Sequence, residues 1–154
     1  MADYAPMRQA KNKKGNKDMN TKTELFELCK DRAEELAHAA DGELYEIDGC
    51  REVIKDLDAY MEAHEGEDEP QAVTVADILG EDSLGDLHFE VNQRGELYNG
   101  KTIVAFGGPN VWIDCDEVRG YWGADEEHCT LSPNAREAAM NWFAEQWDCA
   151  RSAM

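Results

Sequence analysis

The fold is determined largely by the stretch Asp86-Leu-His-Phe-Glu-Val-Asn92, in which the second, fourth and sixth residues are apolar and their neighbours are polar. An apolar residue at every second position is typical of a β-strand that buries one face. Further strand-like runs follow at 102–106, 111–115 and 118–122. The second half of the chain therefore predicts an antiparallel meander of about four strands.

Turn sequences separate these runs. Asn92-Gln93-Arg94-Gly95 and Asn99-Gly100 both predict turns, and the second is a favoured hairpin dipeptide. Gly107-Gly108-Pro109-Asn110 is the most distinctive string in the chain. A phosphate-binding loop would need the pattern GxxxxGK[ST], whereas here proline removes one backbone amide and no lysine follows. We therefore predict a tight turn or a bulge, in which the two glycines supply unusual backbone angles.

Helical patterns precede the predicted sheet. Thr21 and Glu24 match a capping box at the start of a first helix, and Gly42 marks its end. A second helix is predicted from the apolar stripe at residues 53–61, which recurs at helical spacing. The run from Glu65 to Pro70 is predicted to be an acidic loop, because proline cannot extend the helix.

Two further helices complete the pattern. Thr74 is the predicted cap of a short helix that reaches Leu79, and Ser132-Pro133 is an N-cap followed by a proline that opens the last helix. Helices followed by strands indicate an α+β fold rather than a wound parallel sheet. We predict N-terminal helices, an antiparallel meander sheet of about four strands, and a C-terminal helix packed on the sheet. The last helix presents its core side at Ala135, Ala139, Trp142, Phe143 and Trp147.

Charge is distributed unevenly along the chain. The 154 residues include 15 Lys and Arg against 34 Asp and Glu, which gives a formal net charge of −19. Residues 1–23 carry six basic and two acidic side chains, a net charge of +4, so the remaining chain carries −23. We predict a flexible basic arm at 1–20 and a single acidic α+β domain at 21–154. The composition argues against direct nucleic-acid binding, which depends on Lys and Arg, and favours basic protein surfaces as partners.

The sequence predicts a cytoplasmic protein. No apolar segment of signal-peptide type follows the basic N-terminal residues, and the longest aliphatic or aromatic run, Ile103–Phe106, is too short to span a bilayer. The cysteines are odd in number and widely spaced, which favours free thiols over a disulfide framework. They lie at positions 29, 50, 115, 129 and 149.

The strongest candidate for a partner-binding surface is a set of carboxylates on the outer faces of the two predicted N-terminal helices. Side chains four residues apart on a helix are separated by about 6 Å along its axis, which is the scale of phosphate spacing in a nucleic-acid strand. A halophilic source or an acidic proteome background would also account for the excess charge. The residues are Glu27, Asp31, Glu34, Glu35, Asp56, Asp58, Glu62 and Glu65.

Aromatic residues offer a second candidate surface. Alternation along the predicted strands places Trp112 and Tyr121 on a different face from Val111 and Trp122. An exposed aromatic pair surrounded by carboxylates would suit a protein interface, where aromatic side chains act as anchors. The competing interpretation is that the last helix covers these residues as part of the core.

Chemical sites are weakly indicated. Cys115, His128 and Cys129 are residue types that bind zinc, but their spacing matches no zinc finger, and adjacent residues on an extended segment point to opposite faces. Isolated thiols are common in small cores and are the favoured explanation of the cysteines. No serine lies in a G-x-S-x-G elbow. We therefore predict no enzymatic activity, no cofactor and no metal.

Two motifs in the second half of the chain carry a resemblance to known proteins. They are the GGPN-apolar-x-apolar-D pattern within Ile103–Asp114 and the sequence Gly120-Tyr121-Trp122-Gly123. Together they resemble a family of small, uncharacterised proteins. That family is encoded on plasmids, phages and conjugative elements of gut bacteria. The resemblance covers roughly the last half of the chain and implies an origin on a mobile element rather than an activity. By size and charge alone, the chain also resembles acidic anti-CRISPR and anti-restriction proteins that mimic DNA.

These observations lead to an expected function. We expect a non-enzymatic inhibitor of a host DNA-targeting defence complex, such as a CRISPR effector, that blocks a basic nucleic-acid channel by acidic DNA mimicry in the bacterial cytoplasm. The alternative is a mobile-element accessory protein that binds another protein through the aromatic face of Trp112 and Tyr121. A zinc-dependent module that uses Cys115, His128 and Cys129 is a third interpretation.

Overall fold

The computed structural model describes residues 17–153, with side chains from Thr21 onward. This part of the chain forms an α+β fold with four helices and two antiparallel sheets. The smaller sheet has the strand order β2-β1-β3, and the larger one runs β4-β5-β6-β7-β8. The elements are α1 (Lys17–Ala40), β1 (Leu44–Ile47), β2 (Cys50–Val53), α2 (Leu57–Ala63), β3 (Gln71–Ala72), α3 (Val75–Asp82), β4 (Leu87–Val91), β5 (Leu97–Ala105), β6 (Asn110–Asp114), β7 (Glu117–Trp122), β8 (Asp125–Thr130) and α4 (Pro133–Ser152).

The large sheet confirms the predicted meander but contains five strands rather than about four. Each strand pairs antiparallel with the next one along the chain. The additional strand, β8, has the sequence Asp-Glu-Glu-His-Cys-Thr and shows no apolar alternation. Its inward side chains are polar or small. Among them, Glu127 forms a salt bridge with Lys22 of α1, in which Lys22 Nζ lies 2.7 Å from Glu127 Oε2. A strand buried through such contacts has no hydrophobic signal to detect.

The predicted hairpin at Asn99-Gly100 is wrong. Both residues lie inside the nine-residue strand β5, where Gly100 pairs with Phe89. Gly100 is buried beneath Phe143 of α4, and a Cβ atom there would lie 2.5 Å from Phe143 Cδ1. The glycine is required for close packing and not for a turn. The turns at 92–95 and 107–110 occur as predicted.

One face of the large sheet carries the core. Helix α1 packs against β7 and β8, helix α4 packs against β5, and α3 contacts α4. Fully buried side chains come from both layers, among them Leu25, Ile113, Val118 and Phe143. The predicted packing of the C-terminal helix on the sheet is confirmed, because apolar residues of α4 meet the buried alternate positions of the strands.

The start of the first helix differs from the prediction. Helix α1 already includes Lys17, so Thr21 lies within the helix and does not cap it. A capping-box pattern does not mark the start of a helix when the preceding residues are already helical. Of the predicted basic arm, residues 1–16 lie outside the described residues, and residues 17–20 have helical backbone.

The second predicted helix is largely wrong. Val53 belongs to β2, and only Leu57–Ala63 is helical, with no buried residue. The chain reverses between β1 and β2 at Asp48 and Gly49, which both have positive φ angles of 52° and 82°. Asp56 then caps α2 by accepting a hydrogen bond from Ala59 N at 3.0 Å. The apolar residues at 53–61 are divided between a strand and a short helix. A helical spacing of apolar residues alone does not distinguish this arrangement from one continuous helix.

The remaining helix predictions are confirmed. Thr74 forms a capping box with Asp77 at the start of α3, which buries Val75, Ile78 and Leu79. Ser132 accepts a hydrogen bond from the backbone of α4 at the predicted N-cap position. Among residues 17–153, no helix has the length and apolar character needed to cross a membrane.

Candidate functional site

Negative charge is concentrated in one compact part of the chain. Residues 41–70, here called the acidic lobe, comprise the β1–β2 hairpin, α2 and the loop that leads to β3. They contain twelve Asp and Glu residues and two basic residues, Arg51 and Lys55, for a net charge of −10. The lobe therefore holds ten of the 23 net negative charges of residues 24–154.

Most carboxylates of the acidic lobe are exposed and unpaired. Only Glu43 forms a salt bridge with another described residue, to Lys55 and to His38. Asp58 and Glu62 are exposed on α2, a helix with no fully buried residue, and the exposed Glu65 follows it. Like charges at this density raise the local negative potential, which attracts a basic partner.

Arg51 attaches the acidic lobe to the helices. Its guanidinium donates to Glu35 Oε2 of α1 at 3.1 Å, to Asp82 Oδ2 of α3 at 2.9 Å and to Glu81 Oε1 at 3.1 Å. Arg32 of α1 contacts the same two carboxylates, Glu35 and Asp82. These five residues are called the Arg51 cluster below. Because three elements meet in it, the cluster fixes strand β2 against α1 and α3.

The pKa of Asp82 reflects this arrangement. Burial raises the pKa of the carboxyl group, but hydrogen bonds and charge from Arg51 and Arg32 outweigh burial and lower the pKa below its usual value. The Arg51 cluster was not anticipated. The available signal was Arg51 itself, which is one of two basic residues in a stretch that contains twelve acidic ones. A lone arginine in such a stretch is typically paired with several carboxylates.

The structure divides the eight predicted carboxylates. Glu35 is half-buried in the Arg51 cluster, and Asp56 caps α2, so both have structural roles. Glu27, Asp31 and Glu34 are exposed on α1, where Glu34 lies 3.8 Å from Lys30 Nζ. The other exposed members are Asp58, Glu62 and Glu65 of the acidic lobe.

An open groove separates α1 from β2 next to the acidic lobe. Its volume is about 590 Å³, and it is here called the α1–β2 groove. Leu28 of α1 and Val53 of β2 supply apolar surface within it, with exposed fractions of 42% and 45%. Asp31 and Glu34 are among its charged lining residues. The amino-acid pattern does not reveal this groove, because it exists only where residues 50–53 form a strand.

The aromatic pair lies on the face of the large sheet opposite α1 and α4. Trp112 is paired with Arg119, and Tyr121 with Asn110, so both aromatic side chains share one face while Val111 is buried on the other. The predicted division of faces is confirmed. Lys101 Nζ lies 5.1 Å above the ring of Trp112, and the two residues line a small pocket of about 160 Å³ with Tyr121.

Charges on this outer face are balanced within the protein. Arg119 pairs with Glu117 and with Glu126 on the adjacent strand. The side chain of Asp114 accepts hydrogen bonds from the backbone amides of Asp116 and Glu117, at 2.7 and 2.8 Å. Burial raises the pKa of Asp114, and these amide hydrogen bonds oppose the rise. The outer face thus has less unpaired charge than the acidic lobe.

The sheet separates His128 from the two candidate cysteine ligands. Cys129 is half-buried on the inner side of β8, whereas His128 is exposed on the other side. Cys115 is buried and lies 3.4 Å from Met140 Sδ. Burial raises the pKa of Cys29, a neighbouring inner thiol, to about 11, which keeps it protonated at neutral pH. Among the described residues, no three His, Cys, Asp or Glu side chains are grouped to hold a metal ion.

The glycines of the family-like motifs have packing and turn roles in this structure. Helix α1 crosses β7 at Gly120, where a Cβ atom would lie 2.8 Å from Leu25 Cδ1. Gly107 and Gly108 both have positive φ angles in the turn between β5 and β6, and Asn110 Oδ1 accepts a hydrogen bond from Gly107 N. Compared with protein-family models, with curated proteins and with solved structures, the chain matches none.

Proposed function

We propose that this protein is a non-enzymatic inhibitor that binds the basic, nucleic-acid-binding surface of a host DNA-targeting complex and excludes the nucleic acid. The observation that carries the proposal is the acidic lobe, a 30-residue surface unit with a net charge of −10 and eleven carboxylates that pair with no described basic residue. A CRISPR effector in the bacterial cytoplasm is the proposed target class, in keeping with the mobile-element resemblance.

Physical arguments support this use of the charge. A field of one sign steers an oppositely charged partner and increases the association rate, with a strong dependence on salt. The Arg51 cluster joins α1 to strand β2 of the acidic lobe, so the carboxylates of α1 and of the β1–β2 hairpin have relative positions that are defined before a partner arrives. A surface organised in advance binds with a smaller ordering cost.

The test compares three variants that each reverse three charges in the full chain. Asp58→Lys/Glu62→Lys/Glu65→Lys changes the acidic lobe, and Glu27→Lys/Asp31→Lys/Glu34→Lys changes α1. The control is Glu90→Lys/Glu137→Lys/Glu145→Lys, which alters three exposed carboxylates elsewhere. Displacement of labelled duplex DNA from purified CRISPR effector complexes should weaken at least tenfold for the first two variants and little for the control.

The charge-reversal variants can also contradict the proposal. Equal inhibition by all four proteins, with circular dichroism showing an intact fold, would refute mimicry by this surface. Washing the captured complex at about 0.05 M and about 0.5 M NaCl provides an independent check, because charge-based contacts weaken as the screening length shortens.

A second candidate function is binding of another protein through the outer face of the large sheet. It is favoured by the position of Trp112 and Tyr121, which no described helix covers. Trp112→Ala/Tyr121→Ala, included in the same assay, separates the two proposals. Loss of binding in this variant, with all carboxylates present, would support the aromatic face over the acidic lobe.

A further inference from the structure

The α1–β2 groove combines apolar and acidic surface in a way that the rest of the acidic lobe does not. Leu28 and Val53 are each more than two-fifths exposed and line the same groove. Covering such side chains with apolar groups of a partner is favourable, because it removes apolar surface from water. The groove, with its volume of about 590 Å³, is large enough for several side chains of a peptide segment.

The unpaired charge in the groove is negative. Arg32 and Arg51 also line it, but both donate to Glu35 and Asp82 and are therefore neutralised within the protein. Asp31 is exposed and forms no salt bridge with any described residue, and Glu34 is paired only with Lys30 at 3.8 Å. An occupant therefore meets both unneutralised carboxylates and exposed apolar side chains in the same groove.

From this complementarity we propose that the α1–β2 groove binds a short Lys- and Arg-rich segment of the partner protein, with one or two apolar side chains of that segment packed on Leu28 and Val53. The inference rests on the proposed function and identifies the part of the partner that is recognised. A nucleic acid would be repelled by Asp31 and Glu34. A purely basic surface would leave Leu28 and Val53 uncovered.

A folded second copy of the chain is a poor occupant. Eight of the ten basic side chains in residues 21–153 already pair with carboxylates of the same chain, and Lys101 is stacked on Trp112. The surface that this part of the chain offers to another copy is therefore acidic and would be repelled by the groove.

The test uses two labelled 12-residue peptides and the full chain. Both peptides are rich in Lys and Arg; the first has two leucines spaced four residues apart, and the second has serine at those positions. Leu28→Ser/Val53→Thr should weaken binding of the leucine peptide about tenfold, as expected for partial loss of one buried apolar side chain, and leave the serine peptide unchanged. The matched control is Phe106→Ser/Val91→Thr, which changes exposed apolar residues just after β5 and at the end of β4.

The outcomes separate the groove from the wider function. Equal binding of the two peptides, unaffected by Leu28→Ser/Val53→Thr, would overturn the groove proposal while leaving charge-based recognition intact. Loss of both peptides in the Glu27→Lys/Asp31→Lys/Glu34→Lys variant would confirm the role of the carboxylates. No binding of either peptide at low salt would count against both proposals. A peptide-free dimer that Leu28→Ser/Val53→Thr dissociates would instead identify a second copy as the occupant.

Discussion

At the scale of single residues, glycine shows what a pattern can and cannot predict. Gly107 and Gly108 were correctly assigned to a turn because they supply positive φ angles. Gly100 was wrongly assigned to a turn, since the same residue type also serves where no side chain fits. Only the helix that packs above the strand distinguishes the two uses, and a dipeptide does not contain that information.

Replacement of Gly120 by alanine is expected to destabilise the fold. A Cβ atom at this position would lie 2.8 Å from Leu25 Cδ1 and 2.9 Å from Cys29 Sγ, both of which are fully buried. Gly120→Ala should therefore lower the free energy of unfolding by about 1–3 kcal/mol, as overpacking does in other cores. Urea unfolding followed by circular dichroism measures the change.

The matched control is Gly80→Ala in α3. No atom lies within 4 Å of the new Cβ, and the backbone of Gly80 is helical. Alanine there should leave stability unchanged or increase it by up to about 1 kcal/mol, because glycine is a poor helix former. A Gly120→Ala protein as stable as the parent chain would contradict the close contact between α1 and β7.

At the scale of elements, the sequence predicts those that have a regular apolar period. Helix α4 and strands β6 and β7 were found because buried residues recur at the expected spacing. Strand β4 was found because its half-buried Leu87 and Phe89 alternate with exposed residues. Strands β2 and β8 were missed because polar contacts hold them, as in the salt bridges of Arg51 with Glu35 and of Lys22 with Glu127. Strand β1 was missed because it has only four residues, of which Leu44 alone is buried. The candidate site shares this division: exposed carboxylates were predicted, whereas the Arg51 cluster and the groove depend on how the missed strands pack.

Loss of the Arg51 guanidinium is expected to weaken the attachment of β2 to α1 and α3. Arg51→Met removes the hydrogen bonds that join β2 to α1 and α3, and leaves Glu35 and Asp82 with Arg32 as their remaining partner in the cluster. We expect a loss of about 1–3 kcal/mol at pH 7, the range for hydrogen bonds to charged groups. The control, Arg94→Met, changes an exposed arginine in a turn and should have little effect.

The pH dependence follows from the lowered pKa of folded Asp82. A depressed carboxyl pKa contributes stability that is present above the unfolded pKa of about 3.9 and is lost as pH falls through the folded pKa. The stability difference between the parent chain and Arg51→Met should therefore be constant from neutral pH to about pH 5 and shrink below about pH 4. A difference that stays constant to pH 3 in urea unfolding would argue against the Asp82–Arg51 interaction.

At the scale of the whole molecule, the net charge of −19 has one effect on the folded protein and a second, proposed effect on binding. Repulsion among the unpaired carboxylates destabilises the fold, and the same field is the proposed source of attraction for a basic partner. The Arg51 cluster and the other ion pairs offset the repulsion only locally, because basic residues are few. Stability and partner binding should therefore respond to salt in opposite directions.

Added salt is expected to raise the thermal stability of the protein. The screening length falls from about 30 Å at 0.01 M salt to about 3 Å at 1 M, which suppresses repulsion between exposed carboxylates. Raising NaCl over this range should increase the Tm, and each 1 kcal/mol gained corresponds to roughly 2–4 °C for a chain of this size. Asp58→Lys/Glu62→Lys/Glu65→Lys should start from a higher Tm at low salt and gain less, because the acidic lobe is the densest source of repulsion. A Tm independent of salt in both proteins would show that the lobe carries no unscreened charge and could not attract a partner as proposed.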